Sequence, residues 1–177
     1  ADQDWVRLTQ AQFAPVEITP EFWIVPTWHQ APAAARQVIT LDPGLAFGTG
    51  THPTTRMCLR WTARHGVQGQ RVLDYGCGSG ILAIGAALYG AVGIDAVDID
   101  EAAVQSAREN ALANQVTLKA GFPDAAQGQY HTVLANILAT PLKVLAPLLC
   151  SYVQKNVPQG QGTASQTGNL VLAGILE

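Results

Sequence analysis

The chain has 177 residues, 48% hydrophobic and 13% charged, with a formal net charge of −3. That length holds one full core. The low charge and lack of a basic patch give no electrostatic footprint for direct nucleic acid binding, and no run of 18 apolar residues offers a membrane span. Cys58, Cys77 and Cys150 are odd in number and far apart, which excludes metal-type spacing and a disulfide framework and suits a reducing cytoplasm.

Residues 1–30 carry Trp5, Trp23 and Trp28, and Phe22-Trp23-Ile24-Val25 reads as a strand. The segment looks too short to be a domain, so residues 1–35 are expected to be an N-terminal extension or linker and 36–177 the main domain. The start is acidic and lacks the apolar stretch of a signal peptide. Gly44, Gly48 and Gly50 then make a glycine-rich loop with Phe47 at its tip. Such a loop can fold over a ligand and exclude water, or can be a surface loop anchored by its Phe. A helix follows from Pro53 to about His65, whose imidazole suits a helix C-terminus.

Arg71–Tyr75 reads as the first core strand, and Ile81–Tyr89 as a helix that stops at Gly90. Gly93–Asp98 contains the second strand. Glu101–Asn114 is a helix with Ala103, Ala107 and Ala111 on one face. Val116–Ala120 and Tyr130–Asn136 are the third and fourth strands. A helix is expected from about Pro141, behind Thr140, with Pro147 kinking or shortening it. Residues 154–168 are polar and glycine-rich and read as a loop, and Asn169–Gly174 is the fifth strand. Strands alternating with helices predict an α/β fold, doubly wound around a mostly parallel sheet covered on both faces. A sheet that ends at Glu177, just after its fifth strand, would leave an apolar edge, so a fragment is expected.

Chemistry concentrates in Arg71-Val72-Leu73-Asp74-Tyr75-Gly76-Cys77-Gly78-Ser79-Gly80. A strand runs into a glycine turn and then a helix start, an arrangement that lets a ligand approach bare backbone and face helix amides. Asp98 follows Gly76 after the next strand, at the spacing of a carboxylate that binds ribose hydroxyls. A nucleoside cofactor is therefore expected. Ile81 stands where a dinucleotide turn would carry its third glycine. The carboxylate of Asp74 before the turn would repel a pyrophosphate but suit the cationic S-adenosylmethionine. The alternatives are a nicotinamide cofactor or an ordinary glycine turn.

Leu134-Ala135-Asn136-Ile137-Leu138 ends the fourth strand, where ligands of open α/β sheets sit. Asn136 offers both an acceptor and donors there, or else serves as a turn or cap residue. His29, His52, His65 and His131 form no metal spacing. His52 reads as shaping its loop rather than transferring protons. No nucleophilic triad or carboxylate pair is present.

Several motifs together resemble the bacterial methyltransferase family that modifies large-subunit ribosomal protein eleven. They are the run from Leu41 to Thr55, Asp74 to Gly80, Val97-Asp98-Ile99-Asp100, Asn136-Ile137-Leu138-Ala139, and the early Trp5 and Trp23–Trp28 segments. The resemblance covers about residues 4 to 177. It implies a Rossmann-like class I methyltransferase fold, S-adenosylmethionine as cofactor and a cytoplasmic monomer acting on amines of a ribosomal protein. It places cofactor contacts on Thr55, Gly76, Asp98 and Asn136, to which Phe47, Asp74, Gly78 and Ile99 are added as neighbours. Asn136 is expected to position the amine. Related amide and base methyltransferases carry Asn-Pro-Pro-Tyr at this point. Ile137, Leu138 and Ala139 leave no aromatic plate for a planar amide, so an aliphatic amine is expected. By the resemblance, the family's small N-terminal recognition domain and closing hairpin are expected to be absent here, and the 154–168 loop looks longer and more polar than the resemblance suggests. A fragment that binds cofactor without activity of its own is the other functional class.

Overall fold

The computed structural model describes residues 13–42, 50–155 and 167–174. The chain builds a small sheet first: β1 (Val16–Thr19), β2 (Phe22–Val25) and β3 (Gln37–Thr40). β1 pairs antiparallel to β2, and β2 pairs parallel to β3. Then come α1 (Pro53–His65), β4 (Arg71–Tyr75), α2 (Ile81–Leu88), β5 (Gly93–Val97), α3 (Glu101–Ala113) and β6 (Lys119–Gly121). A single turn of 3₁₀ helix at Pro123–Ala125, β7 (Thr132–Asn136), α4 (Ala139–Tyr152) and β8 (Asn169–Ala173) complete the described elements.

The main sheet has the order β6-β5-β4-β7-β8 and is parallel throughout. Its strands alternate between two apolar clusters, as period-two side chains buried on both faces must. Val72, Ile94, Ala96 and Leu134 face α1, α2, α3 and the small sheet, whereas Leu73, Tyr75, Val97, Val133 and Ala135 face Leu149 of α4. At the amino end of the sheet, Tyr130 Oη donates to Asp95, and the Arg71 guanidinium lies 4.6 Å from the Tyr130 ring centre. The chain order reverses between β4 and β7, so their carboxyl ends open a crevice.

Several expected boundaries move. The division at residues 35 and 36 falls between β2 and β3, which pair in register from Phe22–Gln37 to Val25–Thr40. Ile18, Phe22, Ile24 and Ile39 pack into the same cluster as Leu59 of α1 and Ile84 of α2. Residues from 16 onward therefore belong to the core, because their alternating apolar positions have that face to bury.

The third strand begins at Lys119 rather than Val116. Val116 N–H bonds back to Ala111 O, and Gln115 adopts a positive φ of 55° to turn the chain out of α3. The fourth begins at Thr132, since Tyr130 pairs with Val153 beyond α4. α4 starts at Ala139, not Pro141, and runs through Pro147. Pro141 is tolerated because first-turn amides have no helical partner.

If the small sheet is part of the core, Phe22→Ala should lower unfolding stability by about 3–5 kcal/mol. Phe22 is fully buried and packs edge-on against Tyr89 at 5.2 Å. Urea titration should show one shifted transition. A stable main transition beside a separate early one would mean that the sheet folds independently.

Candidate functional site

The glycine turn after β4 is shaped by backbone bonds and by crowding. Gly76 and Cys77 N–H both donate to Val97 O, at 2.8 and 3.0 Å, and Gly80 N–H donates to Cys77 O at 2.8 Å. Gly76 and Gly80 have φ of 75° and 77°, a region that side chains disfavour. A Cβ on Gly76 would also clash with Ile137 Cγ2 across the crevice, and one on Gly80 would stand 2.9 Å from Ala107 Cβ. The turn therefore lies directly beside the exit from β7.

Asp98 follows β5 and holds the turn from its other side. Its Oδ2 accepts from Gly78 N–H at 2.9 Å and its Oδ1 from Asp100 N–H at 3.0 Å. A carboxylate has about four acceptor positions, so each oxygen retains capacity for a hydroxyl. Ile99 is 83% exposed beyond Asp98, and Phe122, at the end of neighbouring β6, is 48% exposed. These apolar side chains flank the carboxyl ends of adjacent strands. The sequence reading named Ile99 but missed Phe122, whose signal was an aromatic residue directly after a strand.

Asn136 ends β7 and meets Thr55 from α1. Its Nδ2 donates to Thr55 Oγ1 at 3.0 Å, a bond between residues 81 apart in sequence. Thr55 is buried. With the NH₂ group turned to Thr55, the Asn136 carbonyl oxygen, in the same plane, points away from Thr55. His52 caps α1, accepting from Thr54 N–H at Nδ1 over 3.2 Å. This is a shaping role: it sets the helical turn that carries Thr55.

Asp74 lies beneath the turn, 1% exposed, and its Oδ2 accepts from Ala83 N–H at 3.0 Å. It thus supplies the side-chain cap that Gly80 cannot give α2. Burial is the main cause that pushes its carboxyl up to about 7, with the Ala83 bond opposing and Asp98 adding to the rise. Burial also raises the Cys58 and Cys77 thiols, with Asp74 contributing, so neither is an activated nucleophile.

The structure therefore brings Thr55, Gly76, Gly78, Asp98 and Asn136 together at the sheet's switch point. Asp74 sits behind them, Ile99 lies at the rim, and Phe47 falls outside the described residues. Among the described residues, no cluster of His, Cys, Asp and Glu could hold a metal ion, and no helix is long and apolar enough to cross a membrane.

The family described as ribosomal protein L11 methyltransferase (PrmA) matches residues 1–177. The chain belongs to that family. It is 73% identical over 179 residues to the ribosomal protein L11 methyltransferase of Polaromonas sp. (strain JS666 / ATCC BAA-500), covering 99% of this chain and 56% of that protein. It is 53% identical to the ribosomal protein L11 methyltransferase of Thiobacillus denitrificans, again over 99% of this chain and 56% of the relative. The chain thus spans little more than half the length of these relatives.

Among solved structures, the ribosomal protein L11 methylase of Lactobacillus delbrueckii subsp. bulgaricus is 36% identical, with a TM-score of 0.69 over 79% of this chain and 75% of that one. The T. Thermophilus 16S rRNA N2 G1207 methyltransferase shares the fold at 22% identity and a TM-score of 0.56, over 63% of this chain and 34% of that one. The family has the α/β Rossmann-like fold expected from the sequence.

Asp74 makes stability pH-dependent with a definite sign. Its folded carboxyl holds its proton up to about 7, against the ordinary 3.8. The folded state binds more protons across that window, so stability falls as pH rises through it. Asp74→Asn keeps an acceptor for Ala83 N–H and should flatten that slope. Urea midpoints measured across the window check it, and an unchanged slope would assign the dependence elsewhere.

Proposed function

We propose that this chain binds S-adenosylmethionine in the crevice between β4 and β7 and transfers its methyl group to amines of ribosomal protein L11. The observation that carries this reading is the Asn136–Thr55 bond beside Gly76: a polar amide, held from two elements, at the mouth of a backbone cradle. The cradle fits the cofactor by shape and charge. Gly76 leaves no side chain in the way, Asp98 retains acceptor capacity for two ribose hydroxyls, and Ile99 and Phe122 offer apolar surface for a base. Asp74 lends negative potential from below when ionised.

Bound S-adenosylmethionine supplies an electrophilic methyl group on sulfur. The protein's task is to present an unprotonated nitrogen in line with it, and most of the acceleration then comes from placement. A free lysine amine titrates at about 10.4. Apolar surroundings favour its neutral form, and Ile137 and half-exposed Leu138 follow Asn136 directly. The Asn136 carbonyl oxygen accepts a hydrogen bond from the amine and aims its lone pair. Thr55 holds that amide in orientation. The methylated nitrogen, an ammonium once the sulfur has left as a neutral thioether with the bonding electron pair, can lose one proton to solvent, with no dedicated base among these residues. A ribosomal protein substrate places the reaction in the cytoplasm.

Two measurements separate this reading from that of a binding module lacking turnover. Calorimetric titration with S-adenosylmethionine should show binding, and Asp98→Ala should weaken it at least tenfold, as expected for loss of charge-assisted hydrogen bonds. Labelled methyl transfer to ribosomal protein L11 should be seen, and Asn136→Ala should slow it by about a hundredfold through lost positioning. Binding without transfer, under any condition that includes substrate, would establish the module. Unchanged affinity in Asp98→Ala would overturn the ribose assignment.

A further inference from the structure

Two asparagines lie one helical turn apart on α3, on the side facing the glycine turn and the small sheet. Asn110 Nδ2 donates to Ser79 O at 2.9 Å and lies 3.3 Å from Ser106 Oγ. Asn114 caps the helix and bonds Thr40 at both backbone groups. Thr40 N–H donates to its Oδ1 at 2.7 Å, and its Nδ2 donates to Thr40 O at 2.8 Å. The same Nδ2 also donates to Asn110 O at 2.8 Å.

Each bond meets a backbone need. The Ser79–Gly80 peptide is held at both ends, its carbonyl by Asn110 and its N–H by Cys77 O at 2.8 Å. That fixes the peptide plane at the point where the turn enters α2. β3 is the edge of its sheet, and Leu41 N–H goes to Val25 O on the β2 side. The Thr40 groups point the other way, and the Asn114 amide stands where a further strand's peptide would. Ala107, on the same helix, touches Gly80. α3 therefore grips the turn by shape and by hydrogen bond, and grips the end of β3 with the next side chain along.

We propose that Asn110 and Asn114 are positioning residues, a two-amide clamp that holds the glycine turn and the end of β3 in one register and so pre-organises the cofactor cradle. Neither touches the ligand; they act through Ser79 and Thr40. A turn already ordered spares the ligand the entropy of ordering it. The inference rests on the cofactor reading above, and its test separates the two.

The experiment compares wild type, Asn110→Ala, Asn110→Asp, Asn114→Ala and a control, Gln105→Ala, whose exposed side chain bonds only Glu109 among the contacts described. S-adenosylmethionine affinity is measured by calorimetry and turn-amide protection by hydrogen exchange. Asn110→Ala should weaken cofactor binding about tenfold, the loss of one partly buried bond and its pre-organisation, and speed exchange at Gly80. Asn114→Ala should weaken it less, while the control changes neither.

Asn110→Asp adds a signature that a purely structural role lacks. Its ionised carboxylate cannot donate to Ser79 O but its protonated form can, so affinity relative to wild type should recover as pH falls. Full affinity and unchanged Gly80 protection in folded Asn110→Ala overturn the clamp. Should Asn110→Ala fail to fold, absence of the pH recovery in Asn110→Asp overturns it. A wild-type chain that does not bind S-adenosylmethionine overturns the cofactor reading instead, and the Gly80 exchange comparison still decides whether the clamp holds the turn.

Discussion

The close approach of Gly76 to Ile137 is the constraint on which the site depends. It occurs where the winding of the sheet reverses, between β4 and β7. A side chain at Gly76 would collide with the Ile137 side chain at the exit from β7 and sit on a positive φ that side chains disfavour. Without one, the turn lies against the side chain of Ile137, the residue directly after Asn136 at the end of β7. The glycine turn after β4 and the end of β7 are thus one contact, which makes the shape of the crevice a property of strand order.

The remaining elements serve to hold that contact. Asp98 ties Gly78 from β5, Asn110 ties Ser79 from α3, and Asp74 ties α2 from beneath. Of these, Asp74 carries the greatest electrostatic strain, since it is a buried acid whose main compensation is one backbone amide. Thr55 arrives on α1, whose start is set by His52 and whose inner face packs on the same cluster as the small sheet. Arg56 and Arg60 of α1 donate to the carbonyls of Glu17 and Ile18 in β1. The small sheet therefore braces the helix whose Thr55 bonds Asn136, and a segment that reads as a linker packs into the core beside it.

The main sheet was legible because its strands are short apolar runs bounded by glycine or acidic residues, a local signal. Asp98 and the glycines were legible for the same reason: backbone geometry and spacing along one strand–turn–helix unit demand them. β1 and β3 were missed, since Val16–Thr19 and Gln37–Thr40 are four-residue strands whose identity comes from pairing with β2. The start of α4 was misplaced because Pro141 suits a first helical position equally well when seen alone. Phe122 was missed because one exposed aromatic residue has no periodic pattern.

From the sequence alone came the chemical inventory of the site: a glycine turn, a carboxylate one strand later and an asparagine at a fourth strand's end, together with the parallel α/β architecture. The glycine turn and the carboxylate depend on contacts within about thirty residues, where local geometry dominates; the asparagine and the sheet were readable from short apolar runs that end in characteristic residues. The tertiary structure decided the rest. It joined Thr55 to Asn136 across 81 positions, turned Asp74 from an expected ligand-facing charge into a buried helix cap, and set Asn110 and Asn114 against Ser79 and Thr40. Each of those bonds exists because packing of helices on the sheet brings distant backbone groups out of water, and a polar group removed from water must find a partner wherever the fold provides one.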